Sequence, residues 1–566
     1  MISSVAEKTL AKLLGLGSAF IAVFVITGTV TDPVNVPKLF ALGGVSVAAV
    51  TIAFSRGWKI LWQESRAIVI LSILFLLGSA NAIIASDGPF VQNFYGVYGR
   101  NTGFLTYFLL LLVLLATLTL RRESSFRWLI RGLLISGGVN VLYCLWAIQF
   151  GDFIPWNNPY GEILGTFGNP NFIGAFLGIF TSVLIAYSLR PGVTWYLRAG
   201  ILSLFLVSLY EIIQSSAIQG RVVAAGGLAI IGFYYIRSRF KGNLIAIIYS
   251  VGIMAAGAIA LLGALQIGPL TKYIYKTSVS LRGEYWQAGW NMALDKPFTG
   301  VGFDTYGDWY RSARDTQALI LPGPKVTTNA AHNVPFDVLA FGGWPLFIVY
   351  ILILAITVTS IIKHTLSNRK FDPVFVSLLV GWICYQVQSI ISINQIGLAI
   401  WGWLFGGALV AYVKAASSGS SNSKNESGST LKRKQVKKTE SVFSAQLLGS
   451  IGAVVGLIIA CPPYSADSKW RSALSSSNIQ KVEEALTPGY LNPANSYKYT
   501  YAVQLLENNK LYDLAYKYGK IAIEFNPNNF DSWRIFYILS KATPEEKANA
   551  LAQMKRLDPN NPDVLA

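Results

Sequence analysis

Apolar runs long enough to cross about 30 Å of hydrocarbon recur along most of this chain, and nothing else in it restricts the fold so strongly. They lie near 10–30, 38–55, 67–86, 102–120, 128–149, 172–188, 199–213, 222–236, 243–265, 335–362, 374–393, 396–413 and 444–461. Lipid offers the backbone no hydrogen-bond partners, so a spanning segment is either a helix or a strand of a closed barrel. The runs are continuous and lack the alternation of barrel strands, so the sequence predicts an all-α, polytopic helical membrane protein with about thirteen spans. Composition agrees. Of 566 residues 53% are hydrophobic and 13% charged, more apolar surface than a soluble chain of this length could hide. Further spans follow the first run, which is therefore expected to be an uncleaved anchor rather than a signal peptide.

The net charge of +18 does not point to nucleic acid, because the basic residues cluster in alternate connections and in one linker. Those connections carry Arg56, Lys59 and Arg66; Arg121, Arg122, Arg127 and Arg131; Arg190 and Arg198; Arg237, Arg239 and Lys241; and Lys363, Arg369 and Lys370. The positive-inside rule then sets the N-terminus in the cytoplasm and sends 87–101, 151–171, 214–221 and the long polar loop 266–334 to the outer face. This predicts a membrane domain over 1–414, a disordered basic cytoplasmic linker over 415–443 that can touch anionic headgroups, and a last span at 444–461. Beyond it, 462–566 reads as an extracytoplasmic helical tail. Leu491-Asn492-Pro493, Phe525-Asn526-Pro527-Asn528-Asn529 and Leu557-Asp558-Pro559-Asn560-Asn561-Pro562 recur at about the 34-residue period of a tetratricopeptide unit, whose stacked helices would suit a protein or glycan partner. Cys144, Cys384 and Cys461 form neither a disulfide framework nor a CxxC metal pattern.

The long loop concentrates the chemistry. It holds Ser280-Leu281-Arg282-Gly283-Glu284-Tyr285-Trp286 and Ala331-His332-Asn333, with one of only two histidines in the chain. A helix is expected over 280–297, capped by Ser280 and stopped by Pro297. Arg282, Trp286 and Trp290 then share one face, which suits a phosphate or a sugar ring and equally suits an interfacial aromatic belt with a snorkelling arginine. Gly300 and Gly302 in Pro297-Phe298-Thr299-Gly300-Val301-Gly302-Phe303 allow a tight turn or close backbone approach to a ligand, without forming a dinucleotide fingerprint. His332, with Asn333 at the outer mouth of the bundle, either accepts a proton from a hydroxyl or hydrogen-bonds a loop carbonyl; His364, beside Lys363, is structural.

Arg221 and Arg100 each stand where a span begins on the outer face, a costly place for a charge. Converging on one cavity they would hold a diphosphate; scattered, they would anchor helix ends. Asn169 and Asn171, in Gly165-Thr166-Phe167-Gly168-Asn169-Pro170-Asn171, either hydrogen-bond sugar or cap the next helix. The outer face has no DxD or ExD pair, so no metal site is expected, with Asp304 and Asp308 as loose candidates.

In this order, the Gly96-to-Arg100 motif, the Asn169-Pro170-Asn171 turn, the Ser/Arg connection ending at Arg221, Arg282 with Trp286, Pro297 with Gly300 and Gly302, and Ala331-His332-Asn333 resemble the O-antigen ligase/polymerase superfamily of polytopic membrane glycosyltransferases. The resemblance covers roughly 85–410, and members with a trailing tetratricopeptide-like region match the tail. It implies a GT-C-like fold in which Arg221 and Arg282 bind the diphosphate of a polyprenyl-linked glycan donor and His332 activates an acceptor hydroxyl on glycan, lipid or protein. Arg100, Trp286, Trp290, Asn169, Asn171 and Asn333 are substrate-binding candidates, and neither metal nor cofactor is required. The family often places Ser directly before the arginine where this chain has Gly220. The implied activity is O-antigen ligase-like, metal-independent glycan transfer at the outer face of a bacterial cytoplasmic membrane. A glycan polymerase and a protein O-oligosaccharyltransferase are alternatives within the superfamily. From other classes come a small-solute transporter, of the inorganic-carbon kind, and a scaffold that recruits partners through its tail.

Overall fold

The structure is a computed structural model that describes residues 4–55, 58–425, 444–476 and 478–565. Among them the regular elements are all helices. Ten are long and apolar enough to cross a membrane: Asn35–Phe54, Ser65–Ile84, Glu123–Phe150, Pro170–Ser188, Trp195–Gln214, Ile218–Arg239, Leu244–Ala264, Val334–Ser367, Ile396–Ser417 and Ala445–Ser476. The shorter apolar helices Phe104–Thr117 and Pro373–Ser389, with Ser4–Val23, account for the other three expected runs. The protein is a multi-pass helical membrane protein.

Helix ends depart from expectation where tertiary contacts take over. The first helix stops at Val23 although its apolar run continues to Val30. The buried Lys38 ammonium explains the early end: its Nζ donates to the carbonyls of Ile21, Ala22 and Phe24 at 3.1, 2.6 and 3.2 Å, satisfying groups that a helix end leaves open. Residues 24–34 are thereby released as a loop. At the other end of the domain Ile396–Asn425 carries helix into the expected linker, whose residues 426–443 lie outside the described residues. Ala445–Ser476 runs through Pro462 and Pro463 into the tail, so span and tail are continuous at 461–462. Its lower part packs on Asn35–Phe54 through small residues, closely enough that a Cβ at Gly43 would meet the Gly456 carbonyl oxygen at 2.5 Å. Its upper part gives Trp470 and Ala473 to the core of the tail.

Val334–Ser367 is broken at Gly343 (φ 65°, ψ −167°). The break frees carbonyls, and the Pro297-to-Gly302 stretch fills the gap. Val301 and Gly302 donate to Ala340 and Phe341 at 2.8 and 3.0 Å, and Trp344 donates to Pro297 at 2.8 Å. The glycines therefore serve backbone approach to a neighbouring helix rather than to a ligand. Gly300 has φ 63°, and a Cβ there would meet the Ala340 oxygen at 2.5 Å. Gly300→Ala is expected to cost about 1–3 kcal/mol and lower the melting midpoint in detergent. Gly252→Ala, in open space on a helix, should not.

The tail contains Ile479–Leu486, Ser496–Asn508, Tyr512–Phe525, Phe530–Tyr537 and Pro544–Leu557 around a core with Tyr499, Val503, Tyr518 and Phe536. Its Asn/Pro recurrences fall between helices, and two of them bind the tail to the helix Tyr306–Ala313. Asn526 and Asn529 each donate to Asp308 at 3.0 Å, and the buried Asp558 pairs with Arg314 at 2.8 Å and Arg311 at 3.0 Å. Those turns dock the tail on the membrane domain.

Candidate functional site

The connections at this end of the bundle enclose a cavity of about 660 Å³. Its walls come from the released loop 24–34, the Gly99–Arg100 turn, the 155–172 segment, His332, the connection through Ile393 and Gln395, and Arg471 of the last long helix.

Arg100 is the best-prepared cation. Its turn is braced by Asp304, whose Oδ2 accepts from the Val97 and Thr102 amides at 2.7 and 3.3 Å and from the Thr102 hydroxyl at 3.0 Å. Asn35 Nδ2 donates to the Gly99 carbonyl at 2.7 Å. Held this way, Arg100 keeps Nη1 buried without a hydrogen-bond partner. A buried, unpaired guanidinium donor is costly unless an anion arrives. Asp304 thus braces the Arg100 turn, and Asp308 accepts from Gln92, Asn526 and Asn529.

His332 sits half-buried with φ 54°, the left-handed region that a residue with a side chain adopts only when its neighbours hold it there. They do so here: the Ala331 amide donates to Asp337 Oδ1 at 2.7 Å, and Asn333 caps the following helix by accepting from the Phe336 amide at 3.1 Å. The imidazole lies 5.6 Å from the Tyr285 ring, tilted by 31°. Burial, and then the charges of Arg100 and Arg282, push its pKa down to about 3. The ring is neutral at physiological pH.

Several expected contacts are redirected. The helix of the long loop is Thr277–Asp295, so Ser280 lies inside it and caps nothing. Arg282 does not line the cavity; its Nε donates to the Ile391 carbonyl at 2.9 Å and its Nη1 to the Ser278 carbonyl at 3.0 Å, tying down the connection that carries Ile393. Trp286 stacks on Phe336 at 5.9 Å and Trp290 meets Trp344 edge-on at 5.5 Å, so both indoles contact Val334–Ser367 away from the cavity lining, with Trp290 still exposed. Asn169 lines the cavity, caps Pro170–Ser188 by accepting from the Asn171 amide at 2.9 Å, and donates to the Tyr160 hydroxyl at 3.1 Å. Asn171, whose carbonyl accepts from Gln219, and Asn333 lie off the cavity. Arg221 is exposed at the start of Ile218–Arg239, also away from the lining.

Trp156, Tyr160 and Arg471 are among the lining residues that escaped the sequence reading. Asp152 organises the first of these by accepting from the Trp156 indole at 2.7 Å and the Tyr143 hydroxyl at 2.6 Å. The aromatics of 153–160 were a signal, as was an arginine past the last span, against the charge pattern. The cavity is lined by two guanidiniums, a neutral imidazole, the Asp32 carboxyl and the rings of Trp156, Tyr160, Phe167 and Phe172, and the guanidiniums beside the rings suit an anionic, sugar-bearing molecule.

Residues 202–351 match the family model described as O-Antigen ligase. The match takes in Arg221, Arg282 and His332 and ends inside Val334–Ser367. No curated protein gives a significant match.

Proposed function

We propose, on the premise that residues 202–351 are an O-antigen ligase domain and the chain a member of the O-antigen ligase/polymerase superfamily, that the protein transfers a glycan from a polyprenyl-diphosphate carrier to an acceptor hydroxyl. The observation that carries this reading is the pairing, in one cavity, of Arg100, whose buried Nη1 has no hydrogen-bond partner, with a neutral His332 imidazole. The acceptor oxygen bonds to the anomeric carbon as the bond from that carbon to the diphosphate oxygen breaks. His332 takes the hydroxyl proton, and polyprenyl diphosphate leaves with its charge held by Arg100. A diphosphate is a good leaving group that needs charge stabilisation more than protonation, which fixed guanidiniums supply without a metal. Trp156 and Tyr160 are placed to stack on the sugar. Arg282 acts at one remove, holding the Ile391 connection and keeping His332 unprotonated. Arg221, outside the cavity, meets the carrier on its approach.

The distribution of basic residues supports one orientation. Arg237 bonds the Asn368 carbonyl and Arg369 bonds Asn243, so these basic connections share the end of the bundle remote from the cavity. In a bacterial cytoplasmic membrane this end faces the cytoplasm with the N-terminus, and the cavity and tail face outward. The acceptor, on glycan, lipid or protein, separates ligase, polymerase and protein transferase, and is read from the product.

Transfer from a polyprenyl-diphosphate oligosaccharide in nanodiscs, with a chelator present, tests the reading. Wild type should work undiminished by the chelator, and Arg100→Ala should lose roughly 10²- to 10³-fold in rate. Failure of the folded wild type across a panel of donors and acceptors would turn the reading toward transport or scaffolding.

A further inference from the structure

Arg471 lies outside the matched domain, on the helix that leads into the tail, yet it lines the cavity with Arg100 and His332. Its side chain is exposed, and among the described residues it has no ion-pair partner within 4 Å. Its backbone is firmly held. One turn earlier, Asp467 Oδ2 accepts from the Thr31 and Asp32 amides at 2.8 Å each, and its Oδ1 accepts from the Tyr98 hydroxyl at 2.9 Å. Thr31 and Asp32 are cavity wall, and Tyr98 is two residues from Arg100. The helix is clamped from the other side as well: Lys498 Nζ donates to the Ala466 carbonyl at 2.7 Å, Tyr497 stacks on Tyr98 at 4.7 Å, and Trp470 is buried in the tail core. Residues four apart share a helix face, so the face that Asp467 fastens to the wall is the one that presents Arg471.

We infer that Arg471 is an anion-binding residue of this cavity, so that the tail helix supplies the second guanidinium which, with Arg100, holds the donor diphosphate. This rests on the transferase reading for the identity of the ligand, while the anion site stands on the cavity geometry. It assigns the second cation, expected from the resemblance at Arg221, to a residue beyond the last span. It also makes the start of the tail part of the site rather than an appendage.

Inorganic pyrophosphate binding to the full-length protein in nanodiscs, measured by calorimetry, tests this. Arg471→Ala should weaken binding at least about tenfold, the scale of one charge-assisted contact, and Arg471→Glu should abolish it. Arg471→Lys should restore part of the loss. Lys469→Ala removes an equal charge from a different face of the same helix, where the side chain lines a separate groove, and should bind within about twofold of wild type. Wild-type affinity in Arg471→Ala with an unchanged melting midpoint would overturn the inference, and so would absence of pyrophosphate binding by the wild type. The two proposals fail separately. Pyrophosphate binding that needs Arg471 in a protein that transfers no glycan keeps the anion site and removes the transferase. Transfer with an unchanged donor KM in Arg471→Ala keeps the transferase and removes Arg471.

Discussion

Replacing His332 with alanine is expected to slow glycan transfer by about 10²- to 10⁴-fold while donor affinity stays near wild type, because the imidazole handles the acceptor proton and not the diphosphate. The pH profile separates this role from a structural one. In the free cavity burial and two arginines hold the pKa near 3, so the base is already deprotonated across the physiological range. The acid limb of kcat/KM, which reports the free enzyme, should therefore lie far below the pH 6.5 of an ordinary histidine. A bound diphosphate brings negative charge beside Arg100 and offsets the repulsion that disfavours the imidazolium, raising the pKa toward the range where a general base is effective. The acid limb of kcat should accordingly lie at higher pH than that of kcat/KM, and both should vanish in His332→Ala. A single limb near pH 6.5 in both parameters would mean that neither burial nor the charges of Arg100 and Arg282 shift His332. Near-wild-type transfer in the alanine variant would remove it from the mechanism.

How much of this was legible depended on the range of the interaction. The spans could be read because hydropathy is a local property, and all thirteen runs became helices. Their ends could not always be read, since the stop at Val23 depends on an ammonium fifteen residues further on, from another helix. Periodicity correctly gathered Arg282, Trp286 and Trp290 on one helix but said nothing of what the face would meet. It met Phe336, Trp344 and the Ile391 carbonyl. Short motifs marked Arg100 and His332 as candidates, yet only the fold shows that they share a cavity while Arg221 stands outside it. Asn169 and Asn333 show the converse ambiguity, because one amide can serve a ligand or a helix end, and both cap helices here. Arg471 was hidden by the assumption that a domain boundary follows the last span, where the helix instead continues.

Asp558→Ala is expected to loosen the docked tail by about 3–5 kcal/mol, the scale set by leaving a buried partner charge without its counter-ion. Arg314 grips both carboxylate oxygens at 2.8 Å with its side chain only 1% exposed, so the truncation strands a buried guanidinium. Arg311 is better protected, since it also lies over the Phe530 ring at 4.0 Å. Hydrogen exchange of the full-length protein in nanodiscs should show residues 530–565 and the helix Tyr306–Ala313 losing protection together, by a factor of at least about 10². Arg314→Met combined with Asp558→Leu should recover much of the loss, because replacing both charges removes the desolvation penalty along with the attraction. Donor KM should rise in the single variant. Tyr306–Ala313 follows directly on Asp304, the brace of the Arg100 turn, so a slack docking contact reaches the cavity through a rigid helix of eight residues. Unchanged protection of the tail in Asp558→Ala would show that the Asn526 and Asn529 bonds to Asp308 suffice to dock it. Lost protection with an unchanged donor KM would separate tail docking from the state of the cavity and leave Asp467 and Arg471 as the tail's connection to the site.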